Sequence, residues 1–453
     1  MEMTQSADSV TQRGWYHGWS IVAVCVLSQV AANGLTYNAY SLFLRDWSAQ
    51  LHAPISQLQL PIAGMALVAA MLSPMVGALA DKYPARRLFG WGLFGIAIFY
   101  VAISTATAAW QIVALYAVLA PLALCLSTAV TANALISRWF VRRLGLALGL
   151  SAFGIGMAGV LLPPLIAATL PTIGWRMVWR IGALVVALLV LPLVVAVARN
   201  RPTESEGKYY LTSDGCDARV ARVDPQGATL DREQAQPAQQ TGRHHGHAAK
   251  GSQVGWREVA ARKNFWLLVA IYLPMMALYG GCAQNLGPYA ASHGFTQQTA
   301  GTLLSILSFS HLVATLVLGL LSDRFGNRLP FAGLAVIMVA GAGILAFGAG
   351  FPTLAVGCAL VGFGGGLFTL LAAAIATEFG AEAVGRAFGL CMFFIPLTAL
   401  APFAVAKTQE SMGSYAPALL GLASLVAISG FLSLLLRERR GDDQPTKAAL
   451  SET

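Results

Sequence analysis

Charge is scarce in this chain: only 11% of its 453 residues are Asp, Glu, Lys or Arg, while 57% are hydrophobic. Soluble domains carry roughly 25% charged residues and disordered chains more, so both classes are excluded and a bilayer is the environment that fits. Acids are scarcest inside the long apolar runs. Asp46, Asp81, Asp323, Glu378 and Glu382 all stand near run ends, as expected where an unpaired charge in hydrocarbon is costly. Cysteine is sparse too. Cys25, Cys125, Cys282, Cys358 and Cys391 lie inside apolar runs and Cys216 stands alone in a polar stretch, which excludes a disulfide framework and leaves packing as their role. There is no Gly-x-x-x-x-Gly-Lys-Ser/Thr loop to cradle a nucleotide. His17, His52 and His293 do not pair with acids or cysteines at ligand spacing, and no serine has a triad around it. The expectation is therefore no enzyme, no cofactor and no metal.

What the chain has is apolar length. A helix crosses about 30 Å of hydrocarbon in roughly 20 residues, and twelve runs meet that need: 19–44, 57–80, 88–108, 112–136, 144–169, 176–198, 265–290, 299–321, 330–348, 352–376, 384–405 and 415–436. Unbroken runs of this length specify helices, because barrel strands alternate over about ten residues. The reading is an all-α polytopic membrane protein of twelve helices. The first run lacks a small-residue cleavage site and is read as a retained helix.

An even number of crossings places both termini on one side. Of 29 Lys and Arg, only Arg45, Arg176, Arg180 and Lys407 then fall on the far side, so the positive-inside rule puts both ends in the cytoplasm. The organisation expected is a cytoplasmic tail over 1–16, six helices over 17–198, a flexible cytoplasmic linker over 199–264, six helices over 265–436 and a tail over 437–453. The linker is rich in Gln, Gly, Ala, Asp and Arg without apolar period. Its His244-His245-Gly246-His247 reads as a solvated patch, since no acid or cysteine is placed to complete a metal site. Trp256 to Ala260 reads as a short interfacial helix. The basic linker lacks interleaved aromatics, so nucleic acid is not an expected partner.

The halves repeat. Gly77-Ala-Leu-Ala-Asp81-Lys82-Tyr83-Pro-Ala-Arg86-Arg87 ends the second run, and Gly319-Leu-Leu-Ser-Asp323-Arg324-Phe325-Gly-Asn-Arg328 ends the eighth. A weaker echo joins the stretches that begin at Arg143 and Val384. Duplication implies two similar six-helix bundles facing each other across a path. With this six-plus-six order, the central loop and two copies of a Gly-x-x-x-Asp-Arg/Lys-x-Gly-x-Arg/Lys-Arg/Lys type loop, the chain resembles the major facilitator superfamily over about 17–440. Pro84 departs from that pattern, which prefers glycine there. The resemblance implies the major facilitator fold, alternating access, and a cytoplasmic latch drawn from Asp81, Arg86, Arg142, Arg143, Asp323, Arg324 and Arg328. Topogenic charge alone is the bland alternative for these residues.

The entry to the fifth run, Ser137-Arg138-Trp139-Phe140-Val141-Arg142-Arg143 followed by Gly145, Gly149, Gly154, Gly156 and Gly159, is similar to that of monocarboxylate carriers and their oxalate/formate relatives. Without any family, glycines three and four apart allow close helix contact in lipid, and Pro163-Pro164 free backbone carbonyls that need protein or a wet cavity. The resemblance is incomplete. That branch places an Asp/Arg pair in helix 8 and often a lysine in helix 1, and neither is present.

His311 is the one ionisable group at the centre of a run, and imidazole titrates near neutral pH. Around it the expected solute-binding set is Asn33, Tyr37 and Asn38 from the first run with Tyr279, Gln284 and Asn285 from the seventh, where Gly280-Gly281 permits bending. Interhelical hydrogen bonding is the alternative for each of them. Arg176, with Arg180 one turn on, is expected either to draw anions into the outer vestibule or to snorkel beside Trp175 and Trp179. This set favours a small organic anion, a monocarboxylate being the expected class, carried across the cytoplasmic (inner) membrane by a monomer, with proton symport through His311. Export of hydrophobic or aromatic compounds through Phe309, Phe363, Phe368, Phe388, Met392, Phe393 and Phe394 is the competing reading. A receptor or scaffold working through 199–264 is the non-transport alternative.

Overall fold

The computed structural model describes residues 17–140, 144–199, 260–379 and 384–436. Arg142, Arg143, Cys216, the 244–247 histidines and the segment 256–259 lie outside the described residues. Within them every regular element is a helix, as apolar sequence in lipid requires when each backbone group must be bonded within its own segment. Among the described residues, eleven helices are long and apolar enough to cross a membrane.

The N-terminal half runs α1 (His17–Asn33), a π turn (Gly34–Asn38), α2 (Tyr40–Leu51), α3 (Leu60–Lys82), α4 (Ala85–Ser104), α5 (Ala109–Ser127), α6 (Ala129–Trp139), α7 (Leu144–Val185), a second π turn (Val186–Val190) and α8 (Leu191–Val197). The C-terminal half runs α9 (Lys263–Ser292), α10 (Gln297–Phe325), α11 (Arg328–Phe347), α12 (Phe351–Gly362), a 3-10 turn (Phe363–Gly366), α13 (Leu367–Phe379), α14 (Val384–Met392), α15 (Ile395–Thr398), α16 (Ala401–Met412) and α17 (Ala416–Ser433).

The fifth membrane helix spans Leu146–Val197, 52 residues. A straight helix of that length would reach about 78 Å, far beyond one bilayer. Gly174, at φ 73° and ψ 159°, breaks it. Only glycine takes that conformation without steric cost, so one residue turns the chain between the expected fifth and sixth runs.

The two related loops differ in how they turn. After α10, Gly326 adopts φ 74°, and buried Asn327 accepts from Ser322 Oγ at 2.5 Å and donates to Thr377 Oγ1 at 2.8 Å. After α3, Tyr83 and Pro84 are extended (ψ 152° and 129°) and α4 starts at once. Pro84 therefore replaces a glycine turn with a proline-set helix entry. These loops, with Arg138 and Arg199, define a basic end of the bundle.

At the opposite end the N-terminal half is cored by aromatics. Tyr40, Phe43, Trp47, Phe99, Tyr100, Tyr116 and Trp179 are buried, with ring centroids from 5.0 Å (Phe99–Tyr116) to 6.1 Å (Trp47–Trp179). Rings of this size fill the space between helices where no water-driven effect holds them together in lipid.

Candidate functional site

The two halves meet where α7 lies against α10, α2 against α9 and α3 against α15. Small residues set the approach. A Cβ on Gly287 of α9 would stand 2.1 Å from the Ser41 carbonyl oxygen of α2, and one on Gly301 of α10 would stand 2.8 Å from the Pro163 carbonyl oxygen of α7. Gly156 lies against Leu312, and Gly159 faces Ser308 and Asn38. Ser305 Oγ donates to the Val160 carbonyl at 2.7 Å. Gly154 packs instead inside its own half, against Val26 and Gln29.

At Gly149 the space is open: outside the chain beside it and the backbone of its own helix, no atom lies within 4 Å of its Cβ position among the described residues. The contact between α7 and α10 is made further along the helix. Toward the basic end, Leu146 and Leu150 of α7 and Leu316 and Leu320 of α10 are exposed.

His311 is the middle residue of α10 (Gln297–Phe325). Its Nδ1 shares a 3.1 Å hydrogen bond with Tyr279 Oη, and the rings meet edge to face at 5.7 Å and 89°. No hydrogen bond is made by Nε2 among the described residues. Tyr279 stands near the middle of α9, so the pair lies midway between the ends of both helices. The glycines of the 3-10 turn make room for it. A Cβ on Gly365 would stand 2.2 Å from His311 Cγ, and one on Gly364 would stand 3.4 Å from Tyr279 Cβ.

The expected amide set is brought together in part. Gln284 and Asn285 are buried. Gln284 Nε2 reaches the Tyr37 carbonyl at 3.4 Å, and Asn285 Nδ2 donates to the Gly281 and Pro402 carbonyls at 2.9 and 3.0 Å. Asn38 Nδ2 donates across to Ile155 of α7 at 3.3 Å, while Asn33 turns back to Gln29 of its own helix at 3.0 Å. Arg176 lies apart. Its guanidinium is held by Gln50 and by the Ala106 carbonyl and stacks 4.2 Å from the Trp175 ring centre, the snorkelling alternative in geometric form. Asp323 is exposed and makes no ion pair among the described residues.

Two cross-half contacts escape sequence reasoning. Gln59, just ahead of α3, donates to the Gln284 carbonyl at 2.8 Å and to Asn285 Oδ1 at 3.1 Å. Glu410, at the end of α16, accepts from Ser56 N at 2.8 Å and Ser56 Oγ at 2.7 Å, with Lys407 beside it at 3.7 Å. Both lie toward the end opposite the basic loops. Gln59 Oε1 and Gln284 Oε1 are buried without a hydrogen-bond partner among the described residues, which leaves two acceptors at this seam for water. Among the described residues no three His, Cys, Asp or Glu are grouped to hold a metal ion.

Two helical halves in contact along glycine-lined faces, with a Tyr–His pair at mid-depth, define a polytopic membrane protein of major facilitator type. The chain belongs to the Major Facilitator Superfamily, whose family model matches residues 26–296 and 281–452. It is similar to MFS-type transporter 1 of Ophiocordyceps sp. (strain BCC 1869), 30% identical over 209 residues, which are 44% of this chain and 45% of that protein. It is also similar to monocarboxylate transporter 12 of Mus musculus, 25% identical over 327 residues, 69% of this chain and 61% of that protein. The chain thus matches less than two thirds of the length of either relative. In fold it is like a bacterial homolog to the human lysosomal transporter Spinster, in an inward-facing and occupied conformation, with TM-score 0.69 and 14% identity over 93% of this chain and 97% of that one.

Proposed function

We propose that this chain is a secondary transporter that carries a small organic anion, a monocarboxylate, across the cytoplasmic membrane by alternating access between two six-helix bundles. Counting the arms on either side of Gly174 separately gives the twelve crossings of this reading. The observation that carries it is the Tyr279–His311 hydrogen bond at mid-helix depth, which occupies one ring nitrogen and leaves Nε2 for a ligand. Midplane sites between repeats are where such carriers bind solute, and an imidazole there exchanges a proton while engaging a carboxylate. Similarity to a monocarboxylate transporter supports the substrate class.

In this reading the Ser56–Glu410 and Gln59–Gln284 contacts close the outer side, and the parting of α7 and α10 near Gly149 opens the cytoplasmic side. Likeness to an inward-facing structure supports that state. The cytoplasmic latch expected from the sequence is then released, in keeping with Asp323, which makes no ion pair among the described residues. Asn33, Tyr37, Asn38, Gln284 and Asn285 orient the solute, and Arg176 attracts anions at the outer rim.

Half-buried Phe363, Phe388, Met392 and Phe394 near the junctions of α12 to α15 favour a second reading, proton-linked export of aromatic compounds. One experiment separates the two. In proteoliposomes, saturable uptake of pyruvate or lactate that rises with an inward proton gradient, with the neutral amide analogues not carried, is the expected result. Proton-driven exit of aromatic dyes with no carboxylate flux overturns it.

A further inference from the structure

On the flank of the N-terminal half, away from the Tyr279–His311 pair, a groove of about 820 Å³ opens between the first turns of α4 and the end of α8. Arg86, Arg87 and Arg199 line it at the basic end, and Trp91 and Phe94 continue it along α4 toward the hydrocarbon. All three arginines are exposed, and none of their guanidiniums makes a hydrogen bond or ion pair among the described residues. Trp91 is 66% and Phe94 50% exposed, and the two rings meet edge to face at 6.4 Å. The floor is fixed, since a Cβ on Gly90 would stand 3.5 Å from Val195.

Three unpaired cations above an apolar wall match one kind of molecule. A soluble anion would satisfy the arginines and leave the indole and phenyl faces unused. A zwitterionic lipid would bring its own ammonium against three positive charges. We propose that the groove binds an anionic phospholipid of the leaflet at the basic end, its phosphate held by Arg87 and Arg199 with Arg86 alongside, and its acyl chain laid against Trp91 and Phe94. Guanidinium groups bind phosphate in a bidentate fork, and the negative surface of an anionic leaflet adds long-range attraction. The α4 N-terminus points the positive end of its dipole the same way.

The test is native mass spectrometry of the full chain extracted from bilayers of equal phosphatidylglycerol and phosphatidylcholine. The protein retains phosphatidylglycerol preferentially, and R87Q/R199Q lowers that retention by about fivefold per arginine, while R45Q/R180Q at the opposite end leaves it unchanged. Equal retention of the two lipids by the wild type, or unchanged retention by R87Q/R199Q, overturns the proposal. So does displacement of the lipid by millimolar inorganic phosphate, which marks a soluble-anion site. A second readout does not depend on the recovery of the arginine variant. Brominated phosphatidylglycerol quenches a tryptophan signal that W91F removes, and equal quenching of wild type and W91F overturns the proposal.

Discussion

Tyr279 occupies one nitrogen of His311, and in the proposed mechanism the other does the chemistry. A variant that keeps the ring pair but removes the hydrogen bond therefore separates positioning from chemistry. Tyr279→Phe is expected to lower uptake of a carboxylate about tenfold, the cost of roughly 1.4 kcal/mol for one oriented hydrogen bond. His311→Gln is expected to abolish dependence on the proton gradient while preserving solute exchange. Counterflow with and without a pH gradient checks both, and a gradient response retained in His311→Gln removes His311 from proton coupling. His311 was legible in the sequence because an ionisable group in mid-run stands out against apolar neighbours. Gln59 was not, because a neutral amide in the first turn of a run has no periodic signature and its partners are more than 200 residues away. The hold of Gln50 and Ala106 on Arg176 was hidden for the same reason: an arginine beside two tryptophans reads alike whether it faces solute or lies along the interface.

Among elements, apolar length specified where helices lie, but not where they break. Thr128, the 363–366 turn and the interruption between α14 and α15 fall within apolar runs, where composition barely changes, whereas Gly174 falls in the gap expected between the fifth and sixth runs. Glycine spacing could not tell which glycines lie against the other half: Gly156 and Gly159 do, whereas the Cβ position of Gly149 is open among the described residues. At Gly287, which approaches the other half, a methyl group has no room against the Ser41 backbone. Gly287→Ala is expected to destabilise the closed outer contact by about 1–3 kcal/mol. A lower unfolding temperature, together with faster maleimide labelling of a cysteine placed at Ser41, is the expected result. Wild-type values for both would mean that α2 and α9 separate without cost.

For the whole molecule, the described residues tie the halves at the end opposite the basic loops through Ser56 and Glu410. If transport requires these ends to part, a covalent tie between them stops it. In a chain with Cys216→Ser, the S56C/E410C pair is expected to cross-link under mild oxidation and cut uptake by about tenfold or more, with reductant restoring it. The described native thiols are all buried, so the background reaction is low. Full uptake by the cross-linked protein would rule out opening at that seam. The repeat in the two loops made two facing bundles legible from the sequence, whereas which end is shut was not, because the sequence is the same in every state of the cycle.

The glycines at 364–366 carry a last consequence. A wall made of bare backbone is already at its thinnest, so random change can only fill that space and never widen it. If the chain carries solute by the proposed route, descendants of this gene that acquire a new cargo are therefore expected to have altered Tyr279 or His311, against which these glycines pack, with the glycine side left untouched.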